Sequence, residues 1–358
     1  MVSLPKSAAS IGNVDVLTGA SLTARLPALR AYANRGERVP IGRDPGWLNV
    51  LERGFHHTAY ALEATANGQT VGYLPLAYVR SLLFGRFLVS LPYLNSGGVI
   101  ADDEITQQNL IGAAVRLADS LKVKYLELRH ETAAEHASLT GKLTSKVHMR
   151  LELPSFVGPL WERLPAKVRN QVRKGEKSGL TVHWGGRELL GEFYTVFSRN
   201  MRDLGTPVYG FGFFASILSQ FEGAAELCVV RAGTQPAAAA LLLHGKGISE
   251  VPSASCLREH NATCANMLMY WNLLDRAVQR GQAVFDFGRS TEDSGTHKFK
   301  KQWGAEPEPA IWQYYLRTGS TTEMRPDNPR YQRFIRIWQK LPVGLTRLIG
   351  PPIVRGIP

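Results

Sequence analysis

Hydrophobic and polar positions alternate with two different periods along this chain, and the order of those periods repeats. Ser21–Asn34 has helical spacing (Leu22, Leu26, Leu29, Tyr32), and Trp47–Gly54 continues as a second helix behind Asp44-Pro45. Tyr60–Ala64 and Val71–Val79 then read as strands joined over Thr65-Ala66-Asn67-Gly68-Gln69, a hairpin signal. A strand at Phe87–Leu91 runs into the glycine-rich turn Asn95-Ser96-Gly97-Gly98-Val99. Thr106–Leu121 follows as an amphipathic helix, and Val123–Leu128 is a strand ending in Arg129-His130-Glu131.

The second half returns to that order. Helices are predicted at Pro165–Ser178 (Pro165 near its first turn, Gly179 as its stop), Leu189–Leu204 and Phe213–Phe221. Glu226–Arg231 and Ala237–Leu243 form a hairpin, Gly247–Cys256 is the next strand, Ala265–Arg280 the long helix, and Ala283–Gly288 the strand beyond it. Hairpin, strand, long helix, strand therefore occurs twice, at 60–129 and 226–289, with Leu128-Arg129-His130 and Phe287-Gly288-Arg289 as equivalent strand ends. Alternating strands and helices predict an α/β fold with flanked sheets.

Composition narrows the class. The 358 residues are 44% hydrophobic and 20% charged, enough for two ordinary domain cores. A formal charge of +12 and a pI of 9.7 point to an anionic partner. Cys228, Cys256 and Cys264 are scattered, with no C-x-x-C pair, and read as small buried hydrophobes in a reducing compartment. The opening MVSLPKSAASIGNVDV lacks the apolar stretch of a signal peptide, and no run approaches the ~18–20 apolar residues of a spanning helix. The expectation is a cytoplasmic protein.

The chemistry concentrates in Val284–Pro309, VFDFGRSTEDSGTHKFKKQWGAEPEP. Gly288 is expected to break a short strand, Arg289–Gly295 to form an exposed polar loop, and Thr296–Trp303 to form a short helix stopped by Gly304. Phe299 and Trp303 share one face of that helix, with Lys298, Lys300 and Lys301 around the rest. Polar groups gathered past a strand's C-terminal end are where α/β sheets commonly hold ligands.

The series Gly295-x-x-x-Phe299-Lys300-x-x-Trp303-Gly304-x-Glu306 resembles the C-terminal signature of the FemAB family of peptidyl/aminoacyl transferases. The fuller run FDFGRS…FKKQWGAEPEP is similar to the FemAB-related branch found with exosortase (PEP-CTERM) and exopolysaccharide systems. The resemblance implies two tandem GNAT-like domains with mixed, largely antiparallel sheets flanked by helices, here 1–155 and 156–320, and then a tail, 321–358. It also implies transfer of an acyl or aminoacyl group to an amine of an anionic cell-envelope or polysaccharide precursor. No permanently bound cofactor is expected, and acyl-CoA or aminoacyl-tRNA would be the co-substrate. Two alternatives stand beside it: a CoA-dependent N-acyltransferase, and a non-catalytic scaffold of a polysaccharide assembly system.

Lys300 matches the lysine that the family places at its active cleft, which assigns it to oxyanion or phosphate stabilisation. Arg289 is expected to hold an anionic substrate group, with Lys298 as a second candidate, and either Asp286 or Glu292 to orient the amine or take its proton. Trp161–Gly179 sets Leu164, Val168 and Val172 on one helical stripe and Arg169, Arg173 and Lys177 on another. That run resembles the helix opening the second FemAB domain, beside the acceptor cleft, which brings in Arg169, Asn170 and Arg173. One of the two arginines is expected to bind a substrate anion and the other to pair with an acid.

The chain departs from the family in places. Ordinary GNAT enzymes cradle the CoA pyrophosphate on a glycine-bearing loop before the long helix, whereas Leu257–Asn266 contains no glycine. In the first repeat, Asn95-Ser96-Gly97-Gly98 is followed by the acidic Asp102-Asp103-Glu104. No charged heptad arm or aromatic-and-basic RNA module is present, so tRNA has only the net charge in its favour. His130, His260 and His297 read as solvated or capping residues and His56-His57 lacks metal-site spacing, so no metal is expected.

From Arg330 to Pro358 the chain has six cations (Arg330, Arg333, Arg336, Lys340, Arg347, Arg355) and no acid, interleaved with Phe334, Ile337, Trp338, Leu345 and Leu348. Such a segment either packs its apolar side on the domains or lies on the inner-membrane surface as an interfacial helix.

Overall fold

The computed structural model describes residues 14–318 and 329–357, apart from the side chains of 329–332. Residues 1–13 of the opening stretch read for a leader, the expected tail boundary at 321 and the Arg330 side chain lie outside the described residues. In chain order the first half has β1 (Val14–Leu17), α1 (Gly19–Ala33), α2 (Gly46–Phe55), β2 (Thr58–Ala66), β3 (Gln69–Ser81), β4 (Gly85–Val89), β5 (Ile100–Ala101), α3 (Glu104–Ser120), β6 (Tyr125–His130) and β7 (Gly141–Glu152). The second half has α4 (Val157–Arg163), α5 (Ala166–Lys177), β8 (Leu180–Gly185), α6 (Leu190–Leu204), α7 (Phe211–Gln220), β9 (Ala225–Ala232), β10 (Gln235–His244), β11 (Ile248–Cys256), α8 (Ala265–Gln279), β12 (Val284–Thr291), α9 (Gly295–Lys301) and β13 (Glu306–Leu316). Helices α10 (Pro329–Trp338) and α11 (Val343–Val354) form the tail.

Among the described residues these strands build one sheet, in the order β1-β2-β3-β4-β6-β13-β7-β12-β11-β10-β9-β8, with β5 beside β3. The order reads alike from both ends, except that the closing strands are exchanged. First-half β7 lies between second-half β12 and β13, and second-half β13 lies between first-half β6 and β7. The exchange places Val147 and Met149 of β7 in the second-half core and Tyr314 of β13 among first-half side chains. In space each half is therefore completed by a strand of the other.

Neither exchanged strand was predicted. β7 has a strand signature, with Leu143, Val147, Met149 and Leu151 on alternate positions. β13 hides its own, because Pro307 and Pro309 argue against a strand inside a sheet. They are tolerated because β7 alone pairs with that stretch, and β6 joins only at Ile311.

Helices α1, α2, α6 and α7 bury one shared cluster between the halves, where Leu48, Leu51, Phe193 and Phe214 are solvent-free. β10 is apolar from Pro236 to Leu243 because both its faces are covered: Ala239, Leu241 and Leu243 enter this cluster, and Ala238, Ala240 and Leu242 the one under α8. The ring of Trp47 of α2 lies tilted 4.9 Å from that of Phe221, and its indole N–H donates to Ile41 O at 2.9 Å. That bond fixes the tight turn Ile41–Arg43. Two residues before Ile41, Val39 bridges to Lys246, and a Cβ on Gly245 would come within 2.3 Å of Val39 O. Truncating Trp47 would cost about 3–5 kcal/mol and release a first-half turn that reaches into the second half.

Two local expectations are corrected. Gly288 does not end its strand: β12 continues to Thr291, and Arg289, Ser290 and Thr291 pair with His148, Val147 and Lys146 beyond a register shift. Gly288 has φ +77°, so it is a bulge that turns the strand without terminating it. The polar loop shrinks to 292–294 because β7, unseen in the sequence, holds the other edge.

Candidate functional site

Strands β11 and β12 run parallel from Ile248/Val284 to Glu250/Asp286 and then part. The groups at the parting come from both halves. Asp286 is solvent-free; its Oδ1 accepts from Gly288 N–H at 2.6 Å and its Oδ2 from Arg150 Nε at 3.0 Å, with His148 Nδ1 3.5 Å away. Burial opposes ionisation of this carboxyl, but the His148 ring, the Arg150 guanidinium and the Gly288 N–H outweigh it and hold the group below its usual range. Arg150, on β7, also binds Glu131 at 2.7 Å and Glu308 at 2.6 Å. It further lines a cavity of about 330 Å³ together with Arg163, Trp303 and Gly304.

Facing Asp286 across the strand pair is Glu250, on β11, also buried. Burial and the Asp286 charge push its carboxyl up to about 8, and the Arg150 charge and a hydrogen bond from Gly42 N–H pull it only part of the way back. The Gly42 donor belongs to the turn that Trp47 fixes. The two buried acids are thus shifted in opposite directions: the surroundings favour the charged form of Asp286 and the protonated form of Glu250.

Helix α9 brings the lysine. Ser294 caps it, its Oγ accepting from His297 N–H at 3.2 Å and donating to Thr291 O at 2.7 Å. Phe299 packs edge-on against Tyr270 of α8 at 4.9 Å, and Trp303 is buried beside them. Those anchors turn Lys300 inward, where its Nζ donates to the Gly288 and Arg289 carbonyls, each at 3.0 Å. Burial lowers this ammonium to about 8, with Asp286 opposing and Arg289 reinforcing the shift. An ammonium has three N–H donors, so one is left for another acceptor.

Arg289 points to the seam between the halves. Its guanidinium lies 3.6 Å from the Trp312 ring centroid, Arg129 lies 4.0 Å from the same ring, and its Nε reaches Asn95 Oδ1 at 3.4 Å. Burial and the Arg129 charge push Arg289 down to about 9.

The structure thus brings Lys300, Asp286 and Arg289 together. Glu292 and Lys298 are exposed, on the loop and on the outer side of α9. Arg169, Asn170 and Arg173 lie on α5, which packs on α8, and among the described residues no hydrogen bond or ion pair ties them to this network. The expected acid partner for one of the arginines is not there: Arg173 sits over Trp161 at 5.4 Å, and the buried Arg169 Nε has no partner. Asp286 has both oxygens committed to fixed donors, which suits a clamp better than a proton acceptor. Sequence reasoning missed Glu250, Arg150, Arg129 and Trp312. Glu250 left a trace, an acid amid the small and apolar residues of a strand; the others depend on the exchanged strands or on long-range pairing.

The strand order, the parting of β11 and β12 and the repeat of that arrangement define a tandem GNAT-type α/β fold. Residues 163–301 match the family model described as the acetyltransferase (GNAT) domain. Among solved structures, FemX is similar over 90% of this chain and 100% of its own, with TM-score 0.63 and 14% identity. The C-terminal domain of a putative lysylphosphatidylglycerol synthetase from Agrobacterium fabrum is similar over 84% and 93%, with TM-score 0.55 and 13% identity. A tandem GNAT protein from the clavulanic acid biosynthesis pathway covers 86% and 100%, with TM-score 0.53 and 11% identity. Comparison with curated protein sequences finds no match. Among the described residues no cluster of His, Cys, Asp and Glu is placed to hold a metal, and no helix is long and apolar enough to cross a membrane.

Proposed function

We propose that the protein transfers an acyl or aminoacyl group to an amine of a cell-envelope or exopolysaccharide precursor, at the parting of β11 and β12. The observation that carries this reading is Lys300: a desolvated ammonium fixed by two backbone carbonyls at the edge of the gap, with one donor left over. Attack of the amine lone pair on the donor carbonyl forms the C–N bond and places negative charge on oxygen. A preorganised cation at that oxygen is worth about 10²–10³ in rate. Collapse of the adduct breaks the bond to the leaving sulfur or oxygen. Glu250, with its carboxyl near 8, takes the amine's proton when ionised and returns it to the leaving group. Asp286 and Arg150 hold the frame, and Arg289 meets an anionic part of the substrate.

Two donor classes fit. The match to an acetyltransferase domain favours acyl-CoA. Likeness in fold to FemX and to a putative synthetase of lysylphosphatidylglycerol, an aminoacylated lipid, favours an aminoacyl donor. The missing glycine between 257 and 266 weighs against the usual CoA cradle. The supported acceptor is an amine carried on an anionic precursor, in keeping with the +12 charge.

Native mass spectrometry of the protein as purified, followed by transfer assays with the donor it carries, tests the reading. Lys300→Ala should lower turnover about 10²-fold or more, whereas Lys301→Ala, at an exposed position, should leave it near wild type. Equal losses from both would move the site elsewhere. No transfer from either donor class would return the chain to the scaffold reading.

A further inference from the structure

The inner side of the tail packs on both halves. A Cβ on Gly205 would lie 2.4 Å from Ile335 Cγ2, Arg347 Nε donates to Ser198 Oγ at 2.8 Å, and Gly350 packs on Val208. At its far end Tyr93 O–H donates to Arg355 O at 2.8 Å, and Gly356 packs on Ser81. The tail therefore straps the second half to the first, ending beside the β3–β4 hairpin.

Its outer side carries exposed apolar side chains. Phe334 is 69% and Leu348 73% exposed, and at the neighbouring hairpin tip Leu82 and Leu83 stand at 108% and 77%. Ile337 and Leu345 are exposed among them. Arg333, Lys340 and Arg355 are exposed on the same tail, interleaved in sequence with these apolar residues, and no acid occurs from 329 to 357. We infer that this face docks on an anionic lipid surface, its leucines and phenylalanine entering the boundary between headgroups and acyl chains while the cations meet lipid phosphates. Single apolar side chains spaced by cations match such an interface. A second copy fits poorly, because a two-fold contact would set these cations against themselves. The inference stands apart from the transferase reading, since lipid binding is measured without substrate.

Sedimentation of the full chain with vesicles tests it, using phosphatidylcholine alone and phosphatidylcholine with one quarter phosphatidylglycerol. The expected result is binding to the anionic vesicles that weakens as salt rises, and little binding to neutral ones. Leu82→Glu/Leu83→Glu and Phe334→Glu/Leu348→Glu should each lower the partition roughly ten-fold or more. Arg333→Glu/Lys340→Glu should act in the same direction, with melting temperatures near wild type in all three because the sites are exposed. Wild-type partition in these variants, or no binding to anionic vesicles at low salt, would refute the inference. So would a lipid-free dimer that the variants dissolve, since the face would then belong to a second copy. A lipid-independent complex with an acidic protein that the charge reversals abolish would likewise give the face to that protein.

Discussion

The molecule contains the same strand parting twice, and the two copies differ in what fills them. In the first half β4 and β6 run parallel from Phe87/Tyr125 to Val89/Glu127 and then separate, as β11 and β12 do after Glu250/Asp286. The first parting is sealed. Ser90 Oγ accepts from Arg129 N–H at 2.8 Å, Gly97 N–H donates to Arg129 O, and Arg129 turns its own side chain onto Leu94 O and Glu127. Ser90, Leu91, Pro92 and Leu94 are all buried there. In the second half Pro252 is exposed, Ser253 and Ala254 are half-buried, and a lysine from a separate helix stands at the opposite edge. One fold unit thus serves twice, once with its parting buried and once with a partly exposed strand and desolvated charges beside it. Duplication frees one copy to be structural.

The helix that follows each parting differs in the same sense. α3 starts on Asp103, whose Oδ1 accepts from Thr106 N–H at 2.7 Å, with Glu104 in its first turn. α8 starts at Cys264, which gives no side-chain cap, and its first turn has no acid. The acidic start repels an anionic donor and the other does not.

Four substitutions probe this contrast. Arg150→Ala should have the largest effect on stability, about 3–5 kcal/mol, because it strands the buried Asp286 without its cation. Denaturant melts would show it, and a loss below about 1 kcal/mol would mean that the network is solvated. Glu250→Gln should reduce turnover about 10²-fold and remove the acid limb of a pH profile whose alkaline limb belongs to Lys300. The same variant tests linkage. The folded-state value of about 8 lies above the ordinary 4.5, so the contribution of Glu250 to stability is full below 4.5 and is lost as pH rises through about 8. Wild-type melting temperature should therefore fall over that window more steeply than that of the variant, and parallel curves would place the proton elsewhere.

Ser90→Ala should cost about 1–3 kcal/mol by leaving the Arg129 N–H unsatisfied in a buried site, with turnover unchanged. A loss of turnover larger than the loss of folded protein would show that the sealed parting takes part in the reaction. Gly288→Ala should cost about 1–2 kcal/mol, since φ is +77° and the new Cβ would lie 3.2 Å from Asn95 Nδ2. Its KM should rise more than its kcat falls if Arg289, the next residue, binds substrate.

Much of the fold was legible because periodicity is local. Leu22, Leu26 and Leu29 mark a helix without help from the rest of the chain, and the repeat at 60–129 and 226–289 emerges from such marks alone. Lys300 was legible for the same reason: its motif is contiguous, and Phe299 and Trp303 face inward by helical spacing. Glu250 was not, because a strand acid becomes a proton-holding group only when Asp286 lies opposite and water is absent. Arg150 was hidden further still, as its strand is paired by residues more than a hundred positions away.

The sequence by itself thus determined the alternation of elements, the duplication, the surplus of positive charge and the lysine-bearing turn, all of which follow from spacing and composition within a few tens of residues. Tertiary structure alone decided the exchange of β7 and β13, the different burial of the two partings, and the opposite shifts of Glu250 and Asp286. The physical reason is range. Helical and strand periods are written in neighbouring side chains, whereas strand order and the desolvation of a charge depend on which distant segments exclude water from it.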